Sequence, residues 1–363
     1  MQMFKLSGSC LSRYRGILFT VITFLITIPA MAAATGQGKI LGMAFDGHQV
    51  SDLDKSVKFF ETLDFQTAYR TGWHVDKVAN KLGGTKGAES RTAIMSVQSS
   101  VSDIPFTIIL RQYRGIKRNN WSKLSSSALL SGHMDLTVQG DCNPYMARLK
   151  AINMLKVPQM NIRGGGGNGG PRRFVFVQDP DGWFIELFAI IPPKPGEPAP
   201  GPKVSNSTAT MANIDRLGIH PGFNHIGLNV VNPEKALTFY KGFMGGDYAP
   251  LKPPPANANG GAPRMAMMNG WFPQARTDKN VRLELIGFPQ KKGAQPPPEK
   301  FADIGVNYVG FQVEDIDAVY KRAKAAGAIT VSDGGIVKMP GGRAVIIRDP
   351  DVGGFIELWE PAT

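Results

Sequence analysis

The chain has 363 residues, 42% of them hydrophobic, and a formal charge of +12. That length suggests two domains, and the apolar content is ordinary for a globular protein with a packed core. The basic residues are dispersed, as in RQYRGIKRNNWSK (residues 111–123), Arg172 and Arg173, and Lys291 and Lys292, with no nucleic-acid motif around them. Such charge reads as a solvated surface and excludes nucleic acid as the expected partner.

At the start of the chain, Lys5, Arg13 and Arg15 precede the apolar run ILFTVITFLITI, which is followed by Pro29 and the small-residue series AMAAA. The run falls short of the roughly 20 residues that span a bilayer, and Ala30-Met31-Ala32 fits a small-x-small cleavage site. Residues 1–32 therefore read as a secretory signal peptide, so the expected location is periplasmic or extracellular, without a stable membrane anchor after cleavage. Cys10 leaves with the signal and Cys142 remains alone, which rules out an internal disulfide in the mature chain. Cys142 itself reads as a small buried hydrophobe.

Beyond the signal, MAFDGHQVSDLDKSVKFFETLDF (residues 43–65) predicts a strand and an amphipathic helix, and SGHMDLTVQGDCNPYMARLKAI (131–152) restarts that order at His133. The glycine run RGGGGNGGP (163–171) lacks the Lys-Ser/Thr pair of a phosphate loop and reads as flexible connection. RRFVFVQDPDGWFIELFA (172–189) then closes the first half as strand, turn and strand. Proline density marks 193–217 as a linker. FNHIGLNVVNPEKALTFYKGFMG (223–245) opens the second half like the first, and the proline-rich loops LKPPPANANGGAP and PQKKGAQPPPEK interrupt it. VNYVGFQVEDIDAVYKRAKAAG (306–327) restarts strand and helix at Tyr308, with Ile316, Val319, Ala323 and Ala326 at helical spacing and Gly327 as the stop. GRAVIIRDPDVGGFIELWE (342–360) repeats the closing phrase, giving four strand-helix-strands units in tandem.

These units, the H-I-G-L opening at 225–228 and the D-P-D-G-x-x-I-E-L ending resemble the vicinal oxygen chelate superfamily. Its members include glyoxalase I, extradiol dioxygenases, fosfomycin resistance proteins and bleomycin-binding proteins. KLGGTKGAESRTAIMSV (81–97) is also similar to a stretch of glyoxalase-like members. The resemblance implies an α+β fold of four tandem βαβββ modules, paired into two glyoxalase-like domains with curved mixed sheets. The first domain is expected over 38–192 and the second over 218–363. A divalent metal (Mn, Fe, Ni, Zn or Mg) cupped in a cleft, with one ligand from each of up to four strands, is implied as well.

In the second half the matching positions are His225, Glu284, Tyr308 and Glu357. Alternation places Ile226, Leu228 and Val230 on one face and His225 on the other, and it separates Tyr308 from Val309, Phe311 and Val313. Glu284 and Glu357 alternate with large apolar neighbours in the same way. Tyr308 departs from the histidine usual there, and a phenol with a pKa near 10 is a poor ligand. It could complete the site as a phenolate, act as a nonligating acid/base or hydrogen-bond donor, or mark a site without metal. In the first half the matching positions are Phe45, Ile109, His133 and Glu186, a degenerate set with His133 and Glu186 as remnants. A strand bulge could instead turn Asp46 and His48 inward. His220, His74, Trp73, Trp183, Trp271 and the Met265, Met267, Met268 run take the default readings of surface or core.

The reading that follows is an exported metalloenzyme of glyoxalase-like lyase or isomerase type, acting on a small substrate with vicinal oxygens. His225, Glu284 and Glu357 hold the metal, Glu357 or Glu284 moves a proton beside the carbonyl, and Tyr308 donates. Two rivals remain. One is a ring-cleaving dioxygenase, weakened because its two-histidine, one-carboxylate set needs a histidine where Tyr308 stands. The other is a metal-free small-molecule binding protein. Pairing of the halves within one chain or across a homodimer is left open.

Overall fold

A computed structural model describes residues 38–100, 105–122, 132–139, 141–157, 159–163, 172–190, 222–230, 232–244, 264–269, 282–287, 298–351 and 353–362. The signal segment 1–32, the linker 193–217, His220, Trp271, and most of the glycine run and of the two proline-rich loops lie outside them. The first unit comprises β1 (Lys39–Gln49), α1 (Leu53–Thr62), β2 (Gln66–Arg70), α2 (Lys77–Leu82), β3 (Glu89–Val97) and β4 (Phe106–Arg114). The second has β5 (His133–Gln139), α3 (Asn143–Ala151), β6 (Gln159–Arg163), β7 (Arg172–Gln178) and β8 (Phe184–Ile190). In the third, β9 (Gly222–Val230) and α4 (Pro233–Met244) precede β10 (Arg264–Asn269) and β11 (Arg282–Gly287). The fourth runs β12 (Asn307–Glu314), α5 (Ile316–Ala325), β13 (Ile329–Thr330), β14 (Val337–Met339), β15 (Gly342–Arg348) and β16 (Phe355–Pro361). Aspartates cap three of the helices: Asp52 accepts from the Asp54 and Lys55 amides at α1, Asp76 from the Val78 and Ala79 amides at α2, and Asp315 from the Ala318 amide at α5. Among the described residues no helix is long and apolar enough to cross a membrane.

Each unit's opening strand pairs in parallel with that unit's last strand: β1 with β4, β5 with β8, β9 with β11 and β12 with β16. Its other edge pairs antiparallel with an opening strand from another unit. β1 takes β12 and β5 takes β9, which yields the sheets β13-β15-β16-β12-β1-β4-β3-β2, with β14 on β15, and β10-β11-β9-β5-β8-β7-β6. We call these sheets A and B. The fold class is thus α+β with mixed sheets, but the expected domains 38–192 and 218–363 do not correspond to them. Units one and four build sheet A, and units two and three build sheet B. Alternation decides which face a side chain takes, whereas four similar units offer four similar edges, so the pattern does not encode which edges meet. Both sheets close within one chain.

The faces follow the pattern. Ile226, Leu228 and Val230, together with Val309, Phe311 and Val313, lie in one apolar core with Phe59 and Phe60 of α1, Leu149 of α3, Phe239 and Phe243 of α4 and Val319 of α5. Cys142 is buried in that core and donates its Sγ hydrogen to the Leu187 carbonyl at 3.3 Å. The sheets are joined where the segment after β3 docks on the start of β9. The Phe223 amide donates to the Gln98 carbonyl and the Ser100 amide to the Phe223 carbonyl, both at 2.9 Å. The Phe106 and Phe223 rings stack with centroids 3.5 Å apart. Gly222 is required at this junction, since a Cβ there would sit 1.8 Å from the Gln98 carbonyl oxygen. Phe223 is 1% exposed, so Phe223→Ala should cost about 3–5 kcal/mol of stability in urea denaturation. An unchanged midpoint would show that the stack does not hold the sheets together.

Candidate metal centre and a second cleft

In sheet B, antiparallel register sets His133 opposite Gly227 and Asp135 opposite His225. The parallel ladders add Glu186 beside Asp135 and Glu284 beside Gly227. Four side chains from four strands therefore meet on one face. His133 Nε2 lies 3.1 Å from Glu186 Oε2, 3.4 Å from Glu284 Oε2 and 3.2 Å from His225 Nε2. His225 Nε2 lies 3.3 Å from Glu284 Oε2. Gly227 makes room for this convergence, because a Cβ there would lie 2.2 Å from His133 Cε1.

The orientation of His225 has a local cause. The β5–β9 register shifts between Asp135 and Leu136, leaving Asn224 as the extra residue on β9. Asn224 Nδ2 donates to Thr137 Oγ1 at 3.1 Å, and its Oδ1 lies 3.1 Å from His225 Nδ1. Accepting oxygen there requires the proton on Nδ1, which turns the Nε2 lone pair toward the cluster. Burial disfavours a charged His133, but its hydrogen bond with Glu186 and the charges of Glu186 and Glu284 outweigh this and raise its pKa. Glu284 is 5% exposed. Two carboxylates brought this close in a buried place repel one another, and a divalent cation balances their charge. His133, His225 and Glu284 lie close enough together to hold one ion, two imidazole nitrogens and a carboxylate oxygen being donors that Zn, Fe, Ni or Mn accepts, and Glu186 adds a second carboxylate 3.1 Å from His133. Asp135, 3% exposed, stands where the other three units carry Gly47, Gly227 and Gly310, and its Oδ2 is 4.0 Å from His225 Nδ1.

The four residues expected to share one cleft are divided between two. His225 and Glu284 join His133 and Glu186, which were expected as remnants of a separate degenerate site. Tyr308 and Glu357 lie in sheet A, because β12 pairs with β1 and β16 with β12. Matching registers make Phe45 the counterpart of His225, Ile109 of Glu284, Tyr308 of His133 and Glu357 of Glu186. The ring-over-glycine contact recurs: Tyr308 covers Gly47, and Phe45 covers Gly310. Asp46 and His48 face the other way, with His48 Nε2 2.7 Å from Asp46 Oδ2 and the His48 ring 3.9 Å from that of Trp183. The β1 irregularities fall before Phe45 and do not turn this pair into the cleft. Trp73 and His74 line the sheet A cavity, and Trp183 is core. The side chains of Met265, Met267 and Met268 lie outside what the structure describes.

Two cleft residues, Asp135 and Arg111, were passed over at the sequence level, although both sit at the same alternation as a named position, two residues after His133 and Ile109. Glu357 makes no ion pair or hydrogen bond among the described residues, and burial pushes its carboxyl up to about 7 against the pull of Arg111. A carboxyl whose pKa is raised by folding stabilises the fold fully below its ordinary range and loses that contribution as pH rises through about 7. Glu357→Gln keeps the neutral shape. Its stability relative to wild type should therefore improve by on the order of 2–3 kcal/mol between about pH 5 and about pH 8 in urea denaturation. A constant difference across that range would rule out an elevated pKa.

Residues 222–355 match the Glyoxalase/Bleomycin resistance protein/Dioxygenase superfamily. No curated protein matches the chain in sequence. Glyoxalase I from Zea mays is similar in structure, with a TM-score of 0.53 at 18% identity, over 89% of this chain and 92% of that one. A putative dioxygenase from Bacillus subtilis gives a TM-score of 0.50 at 12% identity, over 90% of this chain and 86% of that one. At such identities the likeness speaks for the fold alone, and it extends across all four units. Residues 222–355 thus carry a domain of the glyoxalase/bleomycin resistance protein/dioxygenase superfamily, also called the vicinal oxygen chelate superfamily, and the chain as a whole shares the fold of these structures.

Proposed function

We propose that the protein is a metal-dependent enzyme of glyoxalase-like lyase or isomerase type, exported as its first residues suggest, and that its centre is the sheet B cluster. The carrying observation is that His133 Nε2 lies 3.1–3.4 Å from Glu186, His225 and Glu284, with His225 Nε2 3.3 Å from Glu284. A divalent ion held there would act as a Lewis acid toward a small substrate with vicinal oxygens. The chain's own part is to orient and to move protons. Asn224 fixes the His225 tautomer, and Phe176 packs edge-on against His133 with centroids 5.6 Å apart, walling one side of the cleft with an apolar ring. Glu186 or Glu284 can accept a proton from the carbon beside a substrate carbonyl and return it to the neighbouring carbon. Tyr308 and Glu357 take no part, since they belong to the other cleft.

A ring-cleaving dioxygenase is the second reading. His133, His225 and Glu284 together form the two-histidine, one-carboxylate set that the position of Tyr308 seemed to deny. The fourth donor, Glu186, favours the first reading, because it fills a position that iron enzymes leave open for substrate and oxygen together.

Metal analysis of protein purified from metal-replete medium should give about one divalent ion per chain. His133→Ala and Glu284→Ala should lose it, while Tyr308→Phe and Glu357→Gln keep it. A metal-loaded protein should also exchange the proton beside the carbonyl of an α-hydroxycarbonyl compound with deuterated water. Absence of metal from the wild type, or its loss on changing Tyr308 or Glu357, would sink the assignment.

Gly227→Ala removes no donor atom but pushes a methyl into the His133 ring. It should weaken metal affinity by about 10- to 100-fold in competition with a chelator, as changes that misorient ligands do. Equal affinity would mean that the ring contact does not set the histidine.

A further inference from the structure

Among the described residues the sheet A cleft has no metal-ligand set, yet it encloses a cavity of about 510 Å³. Three polar side chains reach this cavity with hydrogen-bonding capacity to spare. Glu357 is 7% exposed and Tyr308 2% exposed, and neither its carboxylate nor its hydroxyl has a hydrogen-bond partner among the described residues. Arg111 binds Thr92 Oγ1 through Nε at 3.2 Å and approaches the Tyr113 hydroxyl through Nη1 at 3.5 Å, leaving Nη2 available. No ion pair within 4.0 Å joins Arg111 to Glu357 among the described residues, although both line the same space. The walls are apolar and aromatic, with Phe45, Trp73 and Trp359 prominent. Arg91 and Arg114 stack on Trp73 with guanidinium carbons 5.1 and 4.5 Å from its ring centroid, and so hold that wall in place.

The chemistry of the floor selects a ligand class. Asp76 also lines the cavity, but its carboxylate is engaged by the Val78 and Ala79 amides at the start of α2, and burial disfavours the charged form of Glu357; Arg111, which has only neutral hydroxyl partners, is therefore the cation left to meet a ligand, and a planar anion suits its fork of donors. Arg111 lies two residues along β4 from Ile109, the counterpart of the ligand Glu284, so this cleft carries a fixed cation of its own near the place where the other cleft gathers carboxylates. We propose that sheet A holds a second, metal-independent binding site for a small aromatic carboxylate, its acid group on Arg111 and the Tyr308 hydroxyl and its rings against Trp73 and Trp359. Glu357 accepts a hydroxyl or N–H from the ligand.

The test is calorimetric titration of the full chain with 2-naphthoate and, separately, with 2-naphthylmethylammonium. Naphthoate should bind at about one site per chain and in preference to the cation, a comparison that needs no variant. Arg111→Met should weaken naphthoate by about 10- to 100-fold, the effect of losing a charge-assisted hydrogen bond, with Arg111→Lys falling between. Ile109→Trp, which fills the cavity, should abolish binding. Naphthoate binding should survive both chelator and His225→Ala, which separates this site from the sheet B centre. Preference for the cation, no binding of either probe, equal affinity in Arg111→Met, or loss on chelation would each overturn the proposal.

Discussion

Where β5 runs against β9, the His133 ring lies over Gly227, and where β1 runs against β12, the Tyr308 ring lies over Gly47. This antiparallel contact between opening strands sets what each cleft contains. It brings the first inward side chain of one unit onto the backbone of another, and the parallel ladders on either side add the residues from the closing strands. A shift of one residue would turn every donor away from the cleft and into the core. The sheet B cluster therefore depends less on any one ligand than on a register that spans two units.

Much of the fold was legible in the sequence. The apolar alternation of Ile226, Leu228 and Val230, and of Val309, Phe311 and Val313, fixes the helix-facing side, and the helical spacing of Ile316, Val319 and Ala323 fixes the buried stripe of α5. The repeated D-P-D phrase marks the closing turns, where Asp179 and Asp349 each accept a backbone amide two residues on. Partner choice was not legible, because hydrogen-bonding edges carry no side-chain signature. Grouping units by their order in the chain placed Tyr308 and Glu357 with His225, and that made a complete donor set look broken. Once β5 meets β9, His133 supplies the histidine whose absence had seemed to argue against a metal.

The two clefts also show how one scaffold can diverge. Sheet B keeps donors at all four positions, and in addition has Asp135 where the other units have glycine. Sheet A has replaced two positions by Phe45 and Ile109 and a third by Tyr308, retaining only Glu357. The difference lies in side chains alone, since the registers that position them match in both sheets. A buried carboxylate left without its former companions is costly when ionised. The elevated pKa of Glu357 is that cost expressed as proton affinity.

The order of the units has a consequence for how the chain is made. Units two and three are nested between units one and four, so sheet B can close once the chain has emerged as far as β11. β1 must wait with an open edge until β12 is made, from Gln49 to Asn307. Sheet A is then the late, long-range event in folding, and the open edge of β1 is the part most exposed to a wrong neighbour in the meantime. On this ordering, the sheet B cluster is assembled early, and the aromatic cleft is the last part of the molecule to exist.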